Sequence, residues 1–353
     1  MVDLSKLKRF SVGRADDSHL SDLTAFGSNP GQLRARAYIP RSLRPGAPLV
    51  VALHGCTQDA AGYDRGTGWS TLAEREGFAV LLPEQVRGNN PNACFNWFEP
   101  GDIARVGGEA ESIAAMVRAI VAEHGIDGRR VFVTGLSAGG AMAGVMLATH
   151  PDLFAGGAII GGLPYGCASG VPEALALMRG RGSDATGLAQ AVRSASGHRG
   201  PWPSVSVWHG AADRTVDVLN MDAIGTQWLG VQGVDPAVCE IEHGSGWTRR
   251  IWRVADGRVA VEDWRVERMG HGVPIDSGGP ERLGAPGPYM LDVGLSSTAE
   301  IARSWGLLTQ AGTARREASA RTRPTPASPP ANDHRIPVGQ VIENALRAAG
   351  LMR

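Results

Sequence analysis

The sequence predicts an α/β protein with a mostly parallel central sheet and helices on both faces. Three observations predict it. Strand-like apolar runs alternate with helix-like segments along the chain, which argues for strand–helix–strand units around a parallel sheet. The run Pro48-Leu49-Val50-Val51-Ala52-Leu53 is apolar enough to sit in the middle of that sheet. Further on, Val131-Phe132-Val133, then Gly135-Leu136-Ser137-Ala138-Gly139, then a small-residue segment from Gly140 to His150 read as strand, sharp turn and helix. At 353 residues one large α/β domain accommodates the pattern.

Taken in order, an early strand is expected from Leu33 to Ile39, the central strand from Leu49 to Leu53 and a third over Phe78 to Pro83. Trp69 opens a helix and packs inward. Glu109 to His124 carries Ile113, Met116, Val117, Ile120 and Val121 on one face at helical spacing. Ala155 to Ile160 reads as a buried strand and Ser204 to Trp208 as another; Val216 to Leu229 reads as a helix. Arg249 to Val254 and Val259 to Val266 are joined through Asp256-Gly257, a strong hairpin signal. Residues 84–101 and 163–203 are irregular and Gly-rich, and are expected to form loops over the site. Ala314 to His334, rich in Pro, Ser, Thr and Arg, reads as a disordered linker. Val338 to Ala349 regains helical spacing and is expected to dock as a helix. The organisation expected is a catalytic domain over 1–313, a linker over 314–336 and a C-terminal docking helix over 337–353.

The Gly135–Gly139 stretch has the form G-x-S-x-G. Between a strand and a helix it is the signature of a nucleophile elbow, and so of an α/β-hydrolase fold. The turn is strained, and small residues must flank the serine where backbones approach closely. Ser137 then stands above the sheet beside the free N–H groups of a helix N-terminus. The pentapeptide alone is weak in a chain with 48 glycines; its setting makes it strong.

In this fold an acid and then a histidine follow the serine. Asp213 lies just past the strand-like run that ends at Trp208-His209-Gly210, and His271 lies on the glycine-flanked loop Met269-Gly270-His271-Gly272 after the hairpin. Both are at the carboxyl ends of strands, where ligands bind in open α/β sheets. His209 precedes Asp213, breaks the order and reads as a strand-end structural residue. His243 precedes the hairpin. Asp217 and Asp222 fall in a helix, where a first-turn or surface role suits them.

The chemistry follows from the residue types. A serine hydroxyl is a weak nucleophile at neutral pH, and a neutral imidazole takes its proton as it attacks. Asp213 fixes the tautomer of His271 and stabilises the imidazolium. The tetrahedral oxyanion needs preorganised donors. One is the N–H of Ala138, next to the nucleophile; the other is the N–H of Cys56, on the loop His54-Gly55-Cys56-Thr57-Gln58 after the central strand. Trp97 and Asn96, on a loop bounded by Pro91 and Pro100, are the expected substrate-binding residues, although the Trp97 ring either meets an acyl chain or sugar or anchors the loop in the core.

Six segments together resemble the poly(3-hydroxybutyrate) depolymerase family of esterases, a branch near the feruloyl and acetylxylan carbohydrate esterases. They are Leu53-His54-Gly55-Cys56-Thr57-Gln58, Cys94-Phe95-Asn96-Trp97-Phe98, Gly135-Leu136-Ser137-Ala138-Gly139-Gly140, Gly162-Leu163-Pro164-Tyr165, Trp208-His209-Gly210-Ala211-Ala212-Asp213 and Met269-Gly270-His271-Gly272. The resemblance implies a triad of Ser137, Asp213 and His271 and an oxyanion hole of Cys56 and Ala138. It implies hydrolysis of 3-hydroxybutyrate oligomers or other short-chain esters through an acyl-serine, with no cofactor. Feruloyl or acetyl carbohydrate esterase activity is the alternative, and a non-catalytic binding protein on the same fold a more distant one.

Composition narrows the partners. Lys and Arg number 35, as do Asp and Glu, so no net field recruits nucleic acid or an anionic membrane. No run reaches the roughly 20 apolar residues of a spanning helix. Met1 to Phe10 is polar and basic without an apolar core, which predicts a cytoplasmic chain as it stands, or an exported one if a leader has been removed. The expected partner is a small or oligomeric ester; the oligomeric state is left open. Four cysteines allow three full pairings. A Cys56–Cys94 bridge fixing the oxyanion loop and a pair of reduced thiols are both open readings. No His or Cys spacing suggests a metal site.

Overall fold

The computed structural model describes residues 19–181 and 187–308. The linker and docking helix expected after residue 313 lie outside the described residues, as does the N-terminal decapeptide. In chain order the elements are β1 (Ser21–Asp22), β2 (Arg34–Tyr38), β3 (Leu49–Leu53), α1 (Ala60–Thr67), α2 (Trp69–Glu76), β4 (Ala79–Glu84), α3 (Gly108–His124), β5 (Val131–Leu136), α4 (Ala138–Thr149) and β6 (Gly156–Ile160). They continue with α5 (Val171–Met178), α6 (Leu188–Ala195), β7 (Ser204–Gly210), α7 (Leu219–Gln232), β8 (Glu240–Gly244), β9 (Trp247–Arg253), β10 (Val259–Val266), β11 (Val273–Ile275), β12 (Met290–Asp292) and α8 (Ser297–Ser304).

Ten strands form one sheet in the order β1-β2-β4-β3-β5-β6-β7-β10-β9-β8. The centre, from β4 through β10, is parallel. The antiparallel pairs lie at the two edges. β11 and β12 form a separate two-stranded parallel sheet.

Every residue of β3, β4, β5 and β6 is buried. Strand side chains alternate between faces, and here the two sets enter two cores. Leu49, Val51 and Leu53 of β3 pack with α3, α4, α6 and α7 on one face. Val50 and Ala52 of the same strand pack with α1, α2 and α8 on the other. Each fully buried aliphatic side chain contributes about 1.5–3 kcal/mol, so both faces are firmly seated. This is the mostly parallel, doubly covered α/β-hydrolase architecture that the sequence predicts.

Some boundaries differ from expectation. Residues 163–203 are not wholly irregular, because they contain α5 and α6. These helices are eight residues each, and α5 buries only Ala174 and Leu177, too short a stripe to stand out as a period. The helix expected from Val216 begins at Leu219, because Asp213 to Val218 form a turn. β8 extends the hairpin as an edge strand with every residue exposed, so no hydrophobic alternation announced it.

The sheet's winding reverses around β3. From there the chain goes to β4 on one side and returns to β5 on the other. The loops leaving β3 and β5 diverge at such a switch point and open a crevice at the strands' carboxyl ends. Gly55–Gln58 and Ser137 stand at that crevice.

Candidate active site

Ser137 follows β5 and occupies the N-cap position of α4, with φ 58° and ψ −119°. A non-glycine residue at positive φ costs about 1–3 kcal/mol and persists only where the surroundings enforce it. Here the Ser137 amide donates to the Ile160 carbonyl at 2.8 Å, and its carbonyl accepts from Ala141 at 2.8 Å. The flanking glycines allow the turn to close. A Cβ on Gly135 would collide with the Gly139 carbonyl, and a Cβ on Gly139 with the Leu53 and His54 carbonyls. The elbow is thus pressed directly against the end of β3.

Asp213 and His271 come together from loops after β7 and β10. His271 Nδ1 lies 2.7 Å from Asp213 Oδ2, and both side chains are buried. The other carboxylate oxygen, Oδ1, accepts from the amides of Thr215 at 2.8 Å and Val216 at 2.9 Å. Burial by itself would raise the Asp213 carboxyl; the His271 hydrogen bond, the neighbouring imidazoles and the Val216 amide outweigh it and hold the group below its usual range. An ionised acceptor calls for a proton on His271 Nδ1, which leaves Nε2 free to accept one.

His209 is the rival that stays close. Its Nε2 donates to the Val216 carbonyl at 2.9 Å and lies 3.5 Å from Asp213 Oδ2. Burial lowers its affinity for a proton, so it stands as a neutral brace of the Asp213 turn. His243 lies on exposed β8, with Nδ1 3.2 Å from the Thr248 hydroxyl. Asp217 precedes α7, where its carboxylate accepts from the Leu219 amide at 2.9 Å. Asp222 pairs with Arg250 at 2.8 Å and Arg265 at 3.4 Å.

A pocket of about 580 Å³, counted to its open mouth, gathers these parts. Ser137, His271, Cys56 and Ala138 all line it. Trp97, Leu163 and Met178 give it an apolar wall, and Gln58, Thr215 and Tyr289 a polar margin. The two open readings of Trp97 merge, since the ring is buried, packed edge-on to Phe98 at 5.4 Å, and also lines the pocket. Asn96 is not among the lining residues. Its amide donates to Glu109 Oε2 at 2.9 Å and its Oδ1 accepts from Asn90 at 3.0 Å. Burial, against the pull of the Asn96 amide and the Gln85 side chain, pushes the Glu109 carboxyl up to about 8. Tyr289 was not foreseen. It holds φ 64°, and its ring stands edge-on to His271 with centroids 6.2 Å apart. The signal that would have found it, a non-glycine residue at positive φ beside the site, belongs to the backbone and not to the sequence.

Cys56 and Cys94 are bridged. The bond ties the loop after β3 to the segment that carries Trp97, and the Thr57 amide adds a 2.7 Å bond to the Asn92 carbonyl. Cys167 and Cys239 are free, and burial pushes the Cys167 thiol up to about 12, which makes it inert as a nucleophile at neutral pH. Among the described residues no helix is long and apolar enough to cross a membrane.

Residues 36–250, more than half of the chain, match the family model described as esterase PHB depolymerase. The chain belongs to that family. As an esterase of the PHB depolymerase family it is a carboxylic ester hydrolase with an α/β-hydrolase fold. It is 44% identical over 293 residues to poly(3-hydroxyalkanoate) depolymerase C of Paucimonas lemoignei, a match that covers 82% of this chain and 70% of the relative. It is 30% identical over 267 residues to feruloyl esterase B of Talaromyces stipitatus, covering 73% of each. The solved acetyl xylan esterase of Aspergillus awamori superposes with a TM-score of 0.70 at 25% identity, over 82% of this chain and 99% of that one.

Proposed function

We propose that this esterase cleaves oligomers of 3-hydroxybutyrate or similar short-chain esters, with Ser137, His271 and Asp213 as its catalytic triad. The observation that carries the triad is the 2.7 Å Asp213–His271 pair opening into the pocket lined by the positive-φ serine. In this reading Ser137 Oγ attacks the ester carbonyl while His271 Nε2 takes the hydroxyl proton. The amides of Cys56 and Ala138 donate to the oxyanion. The intermediate collapses, His271 returns the proton to the leaving alkoxide, and an acyl-serine remains. Water, deprotonated by the same imidazole, then releases the acid. No cofactor enters. Trp97 holds the acyl or alcohol part, and Asn96 acts behind it by fixing the loop.

The 44% identity to a polyhydroxyalkanoate depolymerase supports the hydroxyacyl substrate, as does the apolar wall of Trp97, Leu163 and Met178. The acetyl xylan esterase superposition keeps a second reading in play, the release of acetyl or feruloyl groups from carbohydrate. Residues 1–313 are assigned to one catalytic unit, 314–336 to a linker and 337–353 to a docking helix, on composition and spacing. The Cys56–Cys94 bridge favours an oxidising compartment over the cytoplasm. Turnover of p-nitrophenyl butyrate tests the enzyme. Product analysis on 3-hydroxybutyrate oligomers against methyl ferulate and acetylated xylan tests the substrate. Faster release of ferulate or acetate than of hydroxybutyrate reverses the preference.

A further inference from the structure

His54 is wholly buried at the end of β3, and both ring nitrogens are engaged. The Gln85 backbone amide lies 3.1 Å from Nε2. A backbone N–H can only donate, so Nε2 is the acceptor and the ring proton is on Nδ1. Nδ1 lies 2.8 Å from the carbonyl oxygen of Gly55 and donates to it. Burial lowers the ring's affinity for a second proton, which favours this neutral form. The Gly55 carbonyl is bonded to the nitrogen of Cys56. Across a trans peptide the C=O and N–H point in opposite directions. A Gly55 carbonyl held inward against the His54 ring therefore turns the Cys56 N–H outward, to the side on which Cys56 lines the pocket.

The ring is itself braced. Gln85 donates from its side chain to the Cys94 carbonyl at 3.1 Å and to Glu109. Glu109 also accepts from the amide of Asn96, next to Trp97. Phe95 packs on the imidazole with ring centroids 5.0 Å apart. The Gly55 amide is in turn fixed by Gln58 Oε1 at 2.9 Å. The Gly55 carbonyl also accepts from the Gln58 amide, at the longer distance of 3.3 Å. The peptide planes on both sides of Gly55 are thus held from outside, and a glycine there has little intrinsic preference of its own.

We infer that His54 is the positioning residue that aims the Cys56 amide at the oxyanion, through its Nδ1–H bond to the Gly55 carbonyl. The inference rests on the reading of Cys56 as an oxyanion donor. His54 touches no reacting atom. Its contribution appears only when charge develops on the carbonyl oxygen, so its loss lowers kcat and leaves KM nearly unchanged.

Three variants separate the possibilities. His54→Phe keeps an aromatic ring, somewhat larger, and loses both bonds. His54→Asn places an amide N–H near the position of Nδ1. His54→Gln reaches the position of Nε2 instead. On p-nitrophenyl butyrate, His54→Phe is expected to lose about a hundredfold in kcat, the scale of one missing oxyanion donor. KM should stay within about threefold, since ground-state binding is untouched. His54→Asn should recover most of the rate, and His54→Gln little. Each variant and the wild type are also compared on the matching thionoester, whose sulfur is the weaker acceptor. The wild-type preference for oxygen, relative to that of hydroxide ion, measures the hole itself, and in His54→Phe it should shrink. An unchanged oxygen preference in His54→Phe, a kcat within tenfold of wild type, or Asn no better than Gln overturns the role of His54 while leaving the hole intact. A wild type with no oxygen preference overturns the hole, and the inference with it. If His54→Phe does not fold, the order of Asn and Gln decides.

Discussion

Asp213 divides its carboxylate, with one oxygen 2.7 Å from Nδ1 of His271 and the other on the amides of Thr215 and Val216. The amide bonds fix where the acid is, and the imidazole bond fixes which nitrogen of His271 carries the proton. Asp213→Asn keeps the size but presents an N–H or a neutral oxygen to the ring. It is expected to lower kcat by about 10⁴-fold with little change in fold. Steady-state kinetics beside circular dichroism checks this; a loss under about tenfold would remove Asp213 from the triad.

Ser137→Ala removes one hydroxyl from a turn held by backbone bonds and glycine contacts. Ester hydrolysis is expected to fall below about a thousandth of wild type. The melting temperature should hold or rise slightly, because no packed methylene is lost. Residual turnover above that level, in protein free of wild-type contamination, would point to another nucleophile.

Glu109 gives a pH dependence of stability. Its folded pKa, about 8, lies above the ordinary 4.5. A raised carboxyl contributes stability that is full below about pH 4.5 and is lost as pH rises through about 8. Glu109→Gln cannot ionise, so its melting temperature should be flatter than that of wild type across this window. Parallel slopes in thermal melts at matched ionic strength would show that the Glu109 carboxyl ionises in the fold as it does in the unfolded chain, so that its affinity for the proton is not raised.

The Cys56–Cys94 bridge closes a separation of 38 residues. Loop-closure entropy assigns such a link about 4 kcal/mol. Cys56→Ser with Cys94→Ser should lose a few kcal/mol in denaturant unfolding on this basis, and should also lose turnover, because the donor loop and the Trp97 segment are no longer joined. Peptide mapping without reductant should find the two cysteines linked. A double variant with wild-type kcat would make the bridge purely a matter of stability.

Trp97→Ala opens the apolar wall. An apolar contact of this kind is worth about 1–3 kcal/mol of discrimination. The preference for longer over shorter acyl p-nitrophenyl esters should therefore drop about tenfold or more. An unchanged chain-length profile would place the acyl group elsewhere in the pocket.

Much of this molecule was legible because the decisive features are local. Val131 to His150 states strand, turn and helix within twenty residues, and the steric demands on Gly135 and Gly139 are those of the turn itself. Asp213 and His271 were found by position after strand ends, and the hairpin through Asp256-Gly257 located the second of those ends. What escaped notice depends on tertiary contact. Met178 reaches the pocket from α5, whose two buried residues make no readable period. Tyr289 arrives from a loop between β11 and β12, with a backbone conformation that its residue type does not suggest. His54 was placed on the oxyanion loop but given no role of its own, since its partner Gln85 is 31 residues away.

Gly139 rests on the Leu53 and His54 carbonyls with no side chain between them. Where two segments meet through side chains, a change in one can be absorbed by repacking the other. Bare backbone against bare backbone offers nothing to trim. The turn bearing Ser137 and the end of β3 are therefore closed to redesign, and a search for altered selectivity is better spent on side chains of the pocket wall such as Leu163 and Met178. There the contact is made by side chains that can be exchanged without moving the backbone beneath.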